Sequence, residues 1–390
     1  MEVTLKPYPE KSIKEFFADH FSSQPQLTIH SPGRINLIGE HTDYNEGFVL
    51  PAAINKAIEF SISRRNDDVI ELYSVDKNHV FSTRVGQLNV SGLLWPDYIL
   101  GVADEFLKAG YKFGGFSAAI TGNIPIGAGL SSSAAVECAT AFALNELFSL
   151  GIEKMKMVKL AQKAENNFVG VQCGIMDQFA SMMGKEGNAI KLDCRTLGYQ
   201  YFPLKIDGYK IVLLDTQVKH SLASSEYNTR RTECNEGVHQ IRKKFPEVRS
   251  LRDATWQMIN DSITDPVISK RCRFIVEENA RVTEGCKDLD RNDLLAFGKK
   301  MYQSHAGLRD LYEVSCKELD FIEAACQQEE DIPGARMMGG GFGGCVIAII
   351  KEDSIERITT KIATDYQQQL KRHLKCYITR IDNGTTLASG

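Results

Sequence analysis

The 390-residue sequence contains no CxxC pair, although it carries ten cysteines. Without cysteines at that spacing, a zinc ribbon or a thioredoxin-like centre lacks its ligands. The cysteines are scattered from Cys138 to Cys376, several in apolar or helical surroundings such as Ala-Ala-Val-Glu-Cys, and read as reduced thiols of a cytoplasmic protein. Long apolar runs are missing too. Cys345 to Ile350 is among the longest, far too short to span a bilayer, so no membrane partner is expected. Met1 to Glu10 has no apolar signal core. There is no excess of positive charge: 46 Lys and Arg stand against 50 Asp and Glu, a net charge of −4. That excludes a global basic field that would gather nucleic acid. Repeats, low-complexity tracts and long linkers are absent. So is GxxxxGK[ST], so any nucleotide phosphates must be clamped without a Walker lysine.

What remains is an ordinary globular composition, 43% hydrophobic and 25% charged, long enough for two domains. The division is placed at 1–205 and 206–390. Apolar spacing predicts helices over Ser12 to Phe21, Trp95 to Leu107, Leu130 to Leu150 and Lys154 to Val169. Further helices follow at Ser225 to Lys243, Ser269 to Asp288, Asp293 to Leu311, Ser315 to Gln328 and Asp353 to Leu370. Strands are expected at Leu27 to Ser31, Ala57 to Ser63, Val69 to Ser74, Gly115 to Thr121, Ala189 to Asp193, Tyr209 to Asp215, Gly344 to Ile350 and Cys376 to Ile381. Strands and helices mix without regular βαβ alternation, which favours an α+β fold over a doubly wound sheet.

Chemistry concentrates in a few short segments. Gly33 to Tyr44 (GRINLIGEHTDY) packs Arg34, Glu40, His41 and Asp43 among apolar residues between two glycines. Partly buried charges need partners, either one another or a polar ligand such as a sugar. Asn123 to Ala135 (NIPIGAGLSSSAA) places Gly127 and Gly129 before three serines at the start of an alanine-rich helix. Such a helix start presents free N–H groups to a phosphate. A glycine turn with a serine N-cap explains it as well. In Gly174 to Ser181 (GIMDQFAS), Asp177 reads by itself as a helix N-cap, and Glu165 as part of a solvated helix face beside Lys163. Gly334 to Cys345 (GARMMGGGFGGC) satisfies GxGxxG through Gly339, Gly341 and Gly344. A dinucleotide fold needs a strand before and a helix after that motif, but the apolar β-branched run Cys345 to Ile350 follows. The alternatives are a tight turn between helix and strand, or a loop bracing the phosphate loop.

GRINLIGEHTDY closely resembles the signature of the galactokinases, members of the GHMP small-molecule kinases. PIGAGLSSSAA resembles the second motif of that group, and GARMMGGGFGGC the third. The resemblance covers the chain from about residue 8 to 385. It implies two domains, an N-terminal one like ribosomal protein S5 and a C-terminal ferredoxin-like one, with the active site between them. The implied substrates are galactose and ATP, with Mg²⁺. Asp177 would accept the proton of the C1 hydroxyl, and Arg34 would lie beside it, where a cation keeps a carboxylate ionised. Glu40 and His41 would meet O6 and Asp43 O3 and O4, while Gly174 adds a backbone contact and Tyr227 closes over the sugar. Gly127, Gly129, Leu130, Ser131, Ser132, Ser133 and Ala134 would cradle the phosphates. Ser133 and Glu165 would be the magnesium ligands, and Trp95 would stand near the adenine. The same resemblance leaves room for a kinase of N-acetylgalactosamine or arabinose, and for a galactose sensor without turnover. A monomer is expected.

Overall fold

The computed structural model describes residues 11–125, 127–218 and 223–388. Met1 to Glu10, read above as lacking a signal core, and Ile126 of the glycine loop lie outside them. In chain order the first half holds α1 (Ile13–Phe21), β1 (Leu27–Asn36), β2 (Phe48–Val49), β3 (Pro51–Arg64), β4 (Val69–Ser74), β5 (His79–Arg84), α2 (Trp95–Lys108), β6 (Phe116–Gly122), α3 (Ser132–Phe148), α4 (Lys154–Ala164), α5 (Met176–Met183), β7 (Asn188–Asp193), β8 (Tyr199–Pro203) and β9 (Tyr209–Asp215). The second half holds α6 (Ala223–Arg242), α7 (Trp256–Ser262), α8 (Pro266–Asp290), α9 (Leu294–Asp310), α10 (Lys317–Gln327), β10 (Gly334–Met338), β11 (Cys345–Lys351), α11 (Ile355–Leu370), β12 (Lys375–Thr379) and β13 (Thr386–Leu387).

The first sheet runs β13-β1-β3-β6-β4-β5, with β4 and β6 parallel and the other pairs antiparallel. On β6 the pleat sends Ala118 to one core and Ala119 to the other. Helix α1, held by a reciprocal Ser12–Glu15 cap, buries Ile13 and Phe17 on the Ala119 side. Helices α3 and α5 pack across β1 and β3. Buried almost all round, α3 has the alanine-rich sequence that such a central position requires. The strand β13 returns from the far end of the chain: the Ala388 N–H donates to the Thr28 carbonyl, and Thr385 is fully buried against Ser31.

The second sheet, β10-β11-β9-β12, is antiparallel throughout. Both of its faces are covered, so β11 reads as a continuous apolar run rather than an alternating one. Ile347 and Ile349 join the core of the first sheet, while Val346, Ala348 and Ile350 join the core formed with the C-terminal helices. The α+β expectation holds.

Some local expectations change. The strand β10 was not foreseen, because glycines and Arg336 interrupt its pattern. The glycine cluster is therefore the turn of a β10–β11 hairpin, not a link from helix to strand. The helix expected up to Val169 ends at Ala164 and widens into a π turn over Glu165–Val169, closed by Gly170 at φ +89°. Such turns concentrate at functional sites. No helix among the described residues is long and apolar enough to cross a membrane.

Candidate active site

The signature segment is shaped by close backbone approach. A shift in the β1–β3 register at Pro32/Arg34 bends β1 toward the glycine loop. The Arg34 N–H donates to the Leu130 carbonyl at 3.1 Å, and a Cβ at Gly33 would lie only 2.6 Å from that same oxygen. Only glycine fits there. The neighbouring Arg34 side chain turns to Asp177, with Nε 2.8 Å from Oδ1 and Nη2 3.0 Å from Oδ2, while Nη1 donates to the Gly129 carbonyl at 2.5 Å. That uses three of its five N–H groups. Burial alone would lower the Arg34 pKa, but Asp177 and then Glu40 outweigh it and raise it.

Asp177 lies one residue inside the start of α5, whose N-cap is Ile175, so it is not itself the cap. Its carboxylate also accepts from the Ser131 hydroxyl at 2.5 Å. Ser131 occupies the N-cap position of α3 at φ +56° but makes no capping hydrogen bond. Among the described residues, no side-chain hydrogen bond caps the first N–H groups of α3.

Arg34, Glu40, His41, Asp43, Gly174, Asp177 and Tyr227, all singled out in the sequence, line one cavity of about 610 Å³, together with Glu165. Burial, and then the Asp177 charge, raise the Asp43 carboxyl to about 6. Burial lowers the His41 imidazole to about 3, so it stays neutral. Its Nδ1 pairs with the Tyr44 hydroxyl at 2.8 Å, which in turn pairs with Tyr312 at 2.8 Å. Tyr227 packs on His41 and on Tyr44, with ring centroids 5.3 Å apart in each case. A Cβ on Gly174 would sit 1.9 Å from Asp43 Oδ2, so this wall of the cavity depends on a missing side chain.

Glu165 is buried rather than solvated, at 6% exposure. Burial, then Asp177, raise its pKa, while hydrogen bonds from Cys173 and Ser133 pull the other way. Ser133 thus lies close to Glu165. Gln178 Nε2 donates to Glu165 Oε2 at 2.6 Å and to Glu137 Oε2 at 2.9 Å. Gly127, Gly129, Leu130 and Ser131 to Ala134 form the loop and first turn beside Asp177 without lining the cavity, and Trp95 lies apart at the start of α2, edge-on to His79. The β10–β11 turn rests on this loop: a Cβ on Gly339 would be 3.8 Å from the Gly129 Cα.

The sequence reading missed several residues that shape the site. Gln178 and Arg336 stand inside the motif segments, but Gln178 has the spacing of a helix interior and Arg336 falls in a segment read as a turn or loop. Tyr312 and Glu278 lie in stretches with no motif at all. Glu278 Oε1 accepts from the Gly39 N–H at 2.7 Å, so α8 fixes the bend after β1.

The chain resembles known proteins along nearly its whole length. Residues 15–64 match the galactokinase galactose-binding signature, 97–185 the GHMP kinases N terminal domain and 287–368 the GHMP kinases C terminal domain. The chain is 44% identical over 348 residues to a galactokinase of Thermotoga neapolitana, covering 89% of this chain and 96% of that one. It is 40% identical over 384 residues to that of Clostridium acetobutylicum, covering 96% and 97%. The crystal structure of Lactococcus lactis galactokinase complexed with galactose superimposes with a TM-score of 0.92 at 36% identity, covering 96% of this chain and 99% of that one. Methanococcus jannaschii mevalonate kinase, at 18% identity and a TM-score of 0.67, shares the fold. With two fifths of its residues shared along nearly its whole length, this chain belongs to the galactokinase family of the GHMP kinases.

Proposed function

We propose that this protein is a galactokinase, transferring the γ-phosphoryl group of ATP to the C1 hydroxyl of galactose. The observation that carries the reading is the position of Asp177, bonded at once to Arg34 in the sugar-sized cavity and to Ser131 at the uncapped start of α3. An acceptor hydroxyl and a phosphate chain placed on those two sides meet at this carboxylate. Asp177 takes the C1 hydroxyl proton as the oxygen bonds to the γ-phosphorus and ADP leaves. Arg34 holds Asp177 in place and keeps two N–H groups for charge on the transferred group. Glu40 and His41 read the O6 end, Asp43 reads O3 and O4, Gly174 contributes backbone, and Tyr227 covers the ring. Gly127 to Ala134 cradle the phosphates, with Trp95 toward the base.

The residues present fit a magnesium ion. Ser133 and Glu165 offer neighbouring oxygen donors beside the carboxylates of Asp177 and Glu137, a concentration of negative charge that a cation relieves. When bound, Mg²⁺ supplies charge neutralisation along the phosphates. The division at 205/206, a monomeric state and a cytoplasmic location belong to the same reading, the last in keeping with ten free cysteines.

The test is ADP release with Mg-ATP and galactose, glucose, N-acetylgalactosamine, arabinose or mevalonate. Galactose-dependent release is expected. Release with another member alone moves the assignment to that kinase, and galactose binding without release makes the protein a sensor.

Acid should weaken recognition first at Asp43. With its carboxyl raised to about 6, kcat/KM for galactose falls as pH drops through that value, because a protonated acid loses its charge and part of its capacity to accept from two hydroxyls. Folding responds with the opposite sign. The folded form binds this proton more tightly than the unfolded chain, so Asp43 adds stability as pH falls from about 6 toward its ordinary 3.8. A galactose kcat/KM profile flat from pH 7 to 5 counts against Asp43 as the sugar acceptor.

A further inference from the structure

Arg336 heads the fully buried side chains in volume, and a guanidinium at 0% exposure needs an anion. It lies mid-strand in β10, opposite Ile347. Its Nη1 donates to the Asn36 carbonyl at 3.0 Å, where β1 ends. Its Nη2 stands 3.3 Å from Glu40 Oε1 as an ion pair, outside hydrogen-bond geometry, and Nε has no acceptor among the described residues. The same Glu40 oxygen accepts from the Gly339 N–H at 2.8 Å, three residues further along the hairpin. Only the other oxygen is held from the signature segment, by Asn36 Nδ2 at 3.0 Å. One oxygen of this cavity carboxylate is therefore held from the β10–β11 hairpin and the other from β1.

We propose that Arg336 is the positioning residue for Glu40, so that recognition at the C6 end of the sugar is set by the β10 strand. This rests on Glu40 facing O6, as proposed above. Arg336 touches no substrate. It supplies the fixed cation that keeps Glu40 in one rotamer, beside Glu278 and His41, which feel its charge as well. A hydroxyl bonding to a wandering carboxylate must first pay to order it, and that cost falls on sugar affinity alone.

The experiment compares wild type, Arg336→Met, Arg336→Lys, Glu40→Gln and the double variant Arg336→Met/Glu40→Gln on galactose and 6-deoxygalactose. Thermal unfolding checks each fold. The expected result is a galactose KM raised about tenfold to a hundredfold in Arg336→Met. The ATP KM stays within about threefold, since the nucleotide side is untouched. Preference for galactose over 6-deoxygalactose should collapse in Arg336→Met and in Glu40→Gln, with no further loss in the double variant. Arg336→Lys keeps the charge without the fork and should fall between, giving the same readout if the methionine variant does not fold. If Glu40→Gln keeps the wild-type preference, the O6 assignment itself fails. If Glu40→Gln loses it while both Arg336 variants keep it, Arg336 does not position Glu40 and this inference alone is overturned.

Discussion

Asp177→Asn is expected to lower kcat with galactose by about 10³-fold while nucleotide affinity stays near wild type. The asparagine keeps the shape and an oxygen for Arg34, but it has no negative charge and cannot take a proton. Two costs compete in this variant. Arg34 is buried, with 6% of its side chain exposed, and loses its ion-pair partner, which destabilises the fold. Asp177 is 27% exposed, so solvent softens that loss. Chemistry should therefore suffer far more than folding. Single-turnover rates and nucleotide titration separate the two. A variant turning over within tenfold of wild type means that Asp177 only anchors Arg34 and that the proton leaves by another route.

Gly174→Ala should act on the sugar almost exclusively. The added carbon would fall 1.9 Å from Asp43 Oδ2 and 2.7 Å from its Cγ. Gly174 is not among the glycines at positive φ, so its backbone tolerates alanine and the strain is one of space. Asp43 opens on the cavity and can swing away, so folding is largely spared. The carboxylate then no longer meets the hydroxyls it is placed to read. Losing two charge-assisted hydrogen bonds predicts a galactose KM higher by about 100-fold or more. Isothermal titration with galactose measures this directly. Unchanged affinity, with Asp43 seen displaced, dissociates that residue from sugar binding.

These effects were legible in the sequence because the groups involved sit in short motif segments. Arg34 and Asp43 stand in a short run dense in charge and glycine, whereas Asp177 reads locally as a helix N-cap and Gly174 as a turn, and both enter only through the resemblance of their segments to the family motifs. The supports behind them are not written that way. Arg336, flanked by alanine and methionine, stands at the head of a glycine cluster that reads as a turn, with nothing to mark it as a strand residue. Gln178 has the spacing of a helix interior, and its bridge between Glu137 and Glu165 exists only once α3, α5 and the π turn converge. Tyr312 reaches Tyr44 from 268 residues away, a distance no local pattern encodes. Secondary structure followed the same rule. Long periodic helices such as α3 and α8 were found within a few residues of their ends. The short strand β10 and the π turn, both imposed by tertiary contacts, were not.

One consequence of the β13 pairing concerns synthesis rather than catalysis. Ser31 and Thr385 bond across 354 residues of chain, and β13 covers the outer edge of β1. A ribosome delivers β1 long before β13. Throughout translation that border offers bare N–H and C=O groups to any passing strand, a standing invitation to misassociate. Cover for this stretch of β1 thus waits on Thr386 and Leu387, and a change that unseats them would leave every molecule in that unfinished state.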